Sequence, residues 1–329
     1  MKSKIGLNFK NRINHSIGIR ENSGFTMIEL LVALIISFAV ITPLLAMMVS
    51  IMNTEQKEQA KMFSEQEIQT ALNYISRDLQ QAVYIYDETG VKAIRSQLPG
   101  PTATDRFPVL VFWKRELVSD AITAPDNGKD DAFVYSLVAY YIIKESSTIW
   151  SNAARIGRWE IKDGVKVSSG TLACSGYTER YVDSNHCPDA GFKLFNINSV
   201  GNITSIMNKW KKKESVDYTQ GIQVLVDYID GTTTTNTPAA TCPPNTTDPK
   251  VTWSKITPAS FGTADINKMT GFYSCVDRVN TTAQIFVRGN AIARIDNNVN
   301  NMNYSDGTKT YFPTANTRVE GRGALFKSN

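Results

Sequence analysis

Residues 25–49 read FTMIELLVALIISFAVITPLLAMMV, an apolar run interrupted by a single carboxylate, Glu29. As a helix these 25 residues rise roughly 37 Å, enough to cross the ~30 Å hydrocarbon core of a bilayer. The segment before the run is basic: residues 1–24 carry Lys2, Lys4, Lys10, Arg12 and Arg20 against one acid, Glu21. A basic flank of this kind stays on the cytoplasmic side, which places everything after the run outside. A secretory signal peptide has an apolar region about half this long, with small residues at a cleavage site behind it. Here the distinctive residues stand at the front of the run, so the segment reads as an anchor.

Glu29 sets this anchor apart from a plain membrane span. A carboxylate at the centre of such a helix costs on the order of 2.5–3.5 kcal/mol, less near an interface, and calls for a partner. A cut between Gly24 and Phe25 creates that partner, because the new α-amine of Phe25 lies one helical turn from Glu29. Ser23–Ile36, SGFTMIELLVALII, resembles the prepilin signature shared by type IV pilins, minor pilins and type II secretion pseudopilins. The resemblance implies that residues 1–24 form a cleaved leader, that prepilin peptidase cuts after Gly24 and methylates Phe25, and that Glu29 is the assembly glutamate. It further implies other pilins or pseudopilins and an inner-membrane assembly platform as partners. Many major pilins carry their helix proline three residues further along than Pro43, which bears on local helix geometry.

Past Val49 the chain becomes amphipathic. Ile68, Leu72, Ile75, Leu79, Ala82 and Tyr86 recur at helical spacing, while Glu58, Lys61, Glu65, Glu67, Arg77 and Asp78 read as a solvated face. One helix from the apolar run to about Val83 is expected, its distal half lying against a sheet. Gly90 and Pro99-Gly100-Pro101 then punctuate the chain. Segments 108–117, 132–144, 156–162, 221–230 and 283–295 are rich in β-branched and aromatic residues and read as strands. Their aromatics, such as Tyr135, Tyr140, Tyr141 and Trp159, read as core rather than as a binding platform. The expected fold is α+β, a ladle with a long N-terminal helix packed on an antiparallel sheet. Its parts are the leader (1–24), the transmembrane helix (25–49), the amphipathic stalk (50–86) and a globular β-rich head (87–329).

Beyond the signature, EQEIQTALNYISRDLQQAVYIYD and DDAFVYSLVAYYIIK resemble cyanobacterial pseudopilins associated with hormogonium polysaccharide secretion and gliding, over the first half of the head. That likeness implies a large minor subunit serving secretion, polysaccharide export or motility, with polysaccharide as a further partner. The expected location is the inner membrane, single-pass with the head in the periplasm, and then a filament or the cell surface.

Two long segments interrupt the strands. Residues 163–220 hold Cys174, Cys187 and the run Lys209-Trp210-Lys211-Lys212-Lys213, and residues 231–282 hold Cys242, Cys275 and a Thr/Asn/Pro-rich stretch. Four cysteines without CxxC spacing suit two disulfides in an oxidising compartment. Three pairings are open, and the local one, Cys174 with Cys187 and Cys242 with Cys275, is preferred because each bond would staple one irregular segment. Long loops are natural places for partner contacts.

Composition argues against other classes. Outside residues 1–24 stand 30 of the 35 basic and 30 of the 31 acidic residues, so the remainder is neutral and nucleic acid is not an expected partner. His15 falls in the leader, which leaves His186 as the one histidine of the mature chain. A Ser-His-Asp arrangement around it has no GxSxG to support it, and GxGxxG, P-loop and HExxH motifs are missing too. The turn holding Asp126, Asp130 and Asp131 offers oxygen ligands for calcium, but Lys129 and the lack of an EF-hand order favour a solvated loop. The lysine run could meet anionic polysaccharide or lipid headgroups, though a solvated surface is the simpler reading. No cofactor, metal or catalysis is expected. The competing reading is a membrane-tethered carbohydrate-binding or hydrolytic domain on a pilin-like anchor.

Overall fold

The computed structural model describes residues 24–123, 128–168, 173–323 and 325. The leader up to Ser23 and the calcium candidate Asp126 lie outside them. The chain divides into two units, Met1–Thr54 and Glu55–Asn329, and the helix α1 (Met27–Gln80) contributes to both.

In the first unit every described residue is exposed, from Gly24 to Thr54. Here α1 is long and apolar enough to cross a membrane. Three of its hydroxyls bond back within the helix: Ser37, Thr42 and Thr54 donate to the carbonyls of Ala33, Phe38 and Ser50 at 2.8–2.9 Å. Such back-bonding satisfies these three donors where lipid could offer no partner. Pro43 sits inside the helix.

The second unit is α+β, built on two antiparallel sheets. The part of α1 in this unit buries Ala60, Ser64, Ile68, Ala71, Leu72, Ile75, Asp78 and Leu79. Three- and four-residue steps put these positions on one face, so that face is the one that leaves water.

α1 ends at Gln80, short of the Val83 expected from its periodicity. Ala82–Ile85 forms strand β1, all four residues buried, with Ala82 opposite Lys114 and Ile85 opposite Phe112. Ala82 and Tyr86 thus fit the helical count by coincidence. Tertiary pairing decides for the strand, in keeping with its Val-Tyr-Ile content. Helix α2 (Glu88–Ile94) follows, capped by Asp87, whose carboxylate accepts the Gly90 amide at 2.8 Å. Gly90, read from sequence as a break, is buried inside this helix.

The first sheet continues with β2 (Arg106–Thr123), β3 (Lys129–Ile143) and β4 (Ala154–Lys162). After a long irregular excursion that includes the short helix α3 (Ile203–Asn208) comes β5 (Gln223–Ile229). The strand order is β1-β2-β3-β4-β5. A two-stranded ribbon, β6 (Thr246–Thr247) with β7 (Lys250–Val251), stands apart.

The second sheet has the order β11-β10-β9-β8, with β8 (Ser254–Ile256), β9 (Phe272–Asp277), β10 (Thr282–Arg288) and β11 (Thr314–Glu320). Sequence reading found only β10 of these four and carried it on to Ile295. The strand stops at Arg288, and Ile292–Ile295 is a helical turn, α4. The sheets are joined at Ser274, which donates to the Val109 carbonyl at 2.6 Å, and by the buried ion pair of Arg288 with Asp230, 2.7 Å. Leu72, Ile75 and Leu79 share one core with residues of both sheets.

Candidate functional site

At the start of α1, Gly24, Phe25 and Thr26 precede the first helical turn, and Glu29 lies within it. Thr26 supports that turn from outside: its hydroxyl accepts the Glu29 amide at 3.3 Å and its carbonyl accepts the Leu30 amide at 3.1 Å. A carboxylate in the first turn faces the positive end of the helix dipole, a modest stabilisation of roughly 0.3–1 kcal/mol. Glu29 has no cation within reach on its own helix, because the first basic residue after it is Lys57. The exposed apolar surface surrounds it on every side: Phe25, Met27 and Ile28 are more than 70% exposed, and the following Leu, Val, Ile and Phe side chains stay open as well. Burying one such side chain is worth about 1.5–3 kcal/mol, so the surface demands lipid or protein around it. Around Gly24 there is open space, and a Cβ built there meets nothing within 4 Å.

The head holds a charged cluster that sequence reading missed. Asp78, assigned there to the solvated face of the helix, is buried against the sheet. Its carboxylate accepts from Lys114 at 3.1 Å, from Arg158 at 2.7 Å and from the Tyr140 hydroxyl at 2.7 Å. Glu160 closes the ring, 2.8 Å from both Lys114 and Arg158, and Glu116 stands 3.5 Å from Lys114. Burial pushes the Asp78 carboxyl up, but the Arg158 hydrogen bond and the Lys114 charge outweigh it and hold it below the usual range. Glu160 is held down against burial in the same way, by its Arg158 hydrogen bond and by Lys114. For Lys114 burial pulls the pKa down, and Asp78 and Glu160 more than restore it, leaving it raised. All five charged groups are paired, so the cluster fixes how α1 seats on the sheet and offers no loose acid or base for catalysis. The only hint in the sequence was the position of Asp78, one residue before Leu79 on the apolar stripe.

The remaining candidates separate. Cys174 is bonded to Cys187 and Cys242 to Cys275, the local pairing among the three. The second bond ties the Thr-rich segment to β9, where Cys275 is fully buried. Asp130 and Asp131 lie at the start of β3 rather than in a turn, and adjacent strand residues face opposite ways. Asp131 accepts the Asp120 amide at 3.0 Å. Among the described residues no group of three His, Cys, Asp or Glu side chains could hold a metal. His186 Nδ1 lies 2.8 Å from Asp183, which also accepts the backbone amides of Asn185 and His186, so this pair closes a local turn. The His186 contact is the main influence holding the Asp183 carboxyl below its usual range. Tyr140, Tyr141 and Trp159 are buried and Tyr135 is half-buried.

Comparisons with protein-family models, with curated proteins and with solved structures give no match.

Proposed function

We propose that this chain is a non-enzymatic subunit of a type IV pilus-like or type II secretion-like filament, of the minor pilin or pseudopilin kind. The observation that carries this reading is Glu29, a lone carboxylate in the first turn of α1, whose apolar part is exposed throughout, with no cation paired to it among the described residues. A plain anchor has no use for it. A helix that packs against copies of related helices does, once proteolysis between Gly24 and Phe25 leaves a cationic chain end.

In this reading prepilin peptidase removes the basic leader on the cytoplasmic side and methylates Phe25. The subunit waits in the inner membrane, head outward, until an assembly platform draws it into a filament. Residues 25–49 supply cohesion through apolar packing. Glu29 supplies register, because a charge pair in a low-dielectric core strongly penalises a neighbour set one turn out of step. The large head, with long disulfide-tied segments, supports a minor subunit over a shaft-forming one, and secretion, polysaccharide export or motility as the filament's work.

Glu29→Ala tests the assignment. The variant is expected to be cleaved and to accumulate in the membrane at normal levels, yet to be missing from sheared filaments. Filaments incorporating it as the parent chain does would remove the role given to Glu29.

A further inference from the structure

We propose that the head binds an acidic peptide segment of a partner protein, in a lysine-rimmed cleft formed by Lys193, Lys209 and Lys211, with an apolar side chain of that segment inserted between them. This reading is independent of the filament assignment.

The segment from Gly191 to Lys213 carries five lysines and no acidic residue, inside a chain otherwise balanced in charge. The structure sorts these lysines. Lys212 turns back to Asp217 at 3.6 Å and lies over the Tyr218 ring, and Lys213 covers the Tyr177 ring. Lys193, Lys209 and Lys211 are exposed and line one cavity of about 230 Å³. Among the described residues none of the three has a carboxylate within ion-pair distance; Lys193 also borders a neighbouring cavity that holds Asp163, Glu179 and Glu214, whereas Lys209 and Lys211 face only the cleft. Three cations held together on an otherwise neutral unit are an electrostatic complement waiting for an anion.

The floor of the cleft narrows the choice of anion. It is apolar, made by Leu194, Ile206 and Trp210, with the fully exposed Val200 at its lip. Trp210 is fixed in place: its ring packs edge-on against Trp113 at 5.6 Å, and its indole N–H donates to the Lys193 carbonyl at 2.6 Å. That bond also ties the two lysine-bearing segments together, so the rim is set before any ligand arrives, which lowers the ordering cost of binding. A cavity of about 230 Å³ falls below the roughly 300–1,000 Å³ typical of small-ligand pockets and suits one large side chain. A polyanionic sugar would leave this floor unused, and Trp210 is too buried to serve as a stacking face. A lipid headgroup would likewise meet the rim and leave the apolar floor unfilled. An acidic segment with a central aromatic or aliphatic anchor uses both the rim and the floor.

The test uses the full chain in nanodiscs of neutral lipid, titrated with a labelled peptide of aspartates flanking a central phenylalanine. Saturable, salt-sensitive binding is expected. It should weaken about tenfold or more in the triple variant Lys193→Glu, Lys209→Glu, Lys211→Glu and in its neutral counterpart with Gln at the same positions. An all-aspartate peptide should bind about tenfold more weakly, since it lacks the anchor. Unchanged melting temperatures in the variants would show that these exposed lysines act on binding alone. The proposal is overturned by absence of binding, by variants that bind as the parent does, or by equal binding of the all-aspartate peptide. It is overturned equally if dextran sulfate or phosphatidylglycerol vesicles bind this rim as tightly, which would assign it to sugar or lipid.

Discussion

Asp78 on α1 and Arg158 on β4 meet at 2.7 Å across the helix–sheet boundary, although 80 residues separate them in the chain. Around this contact three carboxylates and two cations, with the Tyr140 hydroxyl, form one closed arrangement. Buried charge clusters of this kind contribute little net stability but are costly to break, because removal of one member strands the others away from water. The cluster therefore acts chiefly as a positional lock between helix and sheet.

Asp78→Asn tests that lock. The amide keeps the shape but leaves Lys114 and Arg158 short of one negative charge, so a loss of roughly 3 kcal/mol is expected. Chemical denaturation of the parent and the variant measures it. A change under about 0.5 kcal/mol, the size of an ordinary surface substitution, would mean that the contact is solvated in solution.

The same groups predict a pH profile. Asp78 and Glu160 are held below their ordinary values, so their contribution is fully present above the unfolded carboxylate range, about pH 4. It is lost as pH falls through their lower folded values. Lys114 is shifted the other way, and its contribution is complete below the unfolded lysine value of about 10.4 and fades as pH rises past it. Melting temperature should therefore plateau between these limits and fall beyond them, with a shallower acid limb in Asp78→Asn. Superimposable acid limbs in the two proteins would contradict the assignment.

Much of the architecture was legible in the residues because it is written in local patterns. The stripe of Ile68, Leu72, Ile75 and Leu79 marks the buried face of α1 without help from any neighbour. The central strands announce themselves through runs such as AFVYSLVAYYII. What stayed hidden depends on distant partners. Asp78 looks like any other surface acid until Arg158 and Lys114 are brought to it. β9, FYSCVD, is wholly buried between β8 and β10, yet it follows a Thr- and Pro-rich stretch that reads as loop. β11, TANTRVE, is an edge strand whose inward residues are only Ala315 and Val319, too few to raise an alternation signal. At the N-terminus the reverse holds: Gly24, Phe25 and Glu29 stand out in the sequence, while among the described residues the Glu29 carboxylate has no hydrogen-bond or ion-pair partner.

Gly24 shows that separation most clearly. Open space surrounds it, so Gly24→Val disturbs no contact of the described residues and should leave the head's folding and membrane insertion intact. The expected defect lies in processing alone: the uncut precursor accumulates in the membrane, visible as a slower band on gels. Normal maturation of this variant would show that no enzyme reads the position.

The most direct measurement is the N-terminal residue of the protein recovered from its native membrane, read by mass spectrometry. A chain that begins at Phe25, carrying one added methyl group on its α-amine, is the predicted result. A chain that retains the basic leader, or that is trimmed beyond Val49 and released without its apolar helix, would contradict the account.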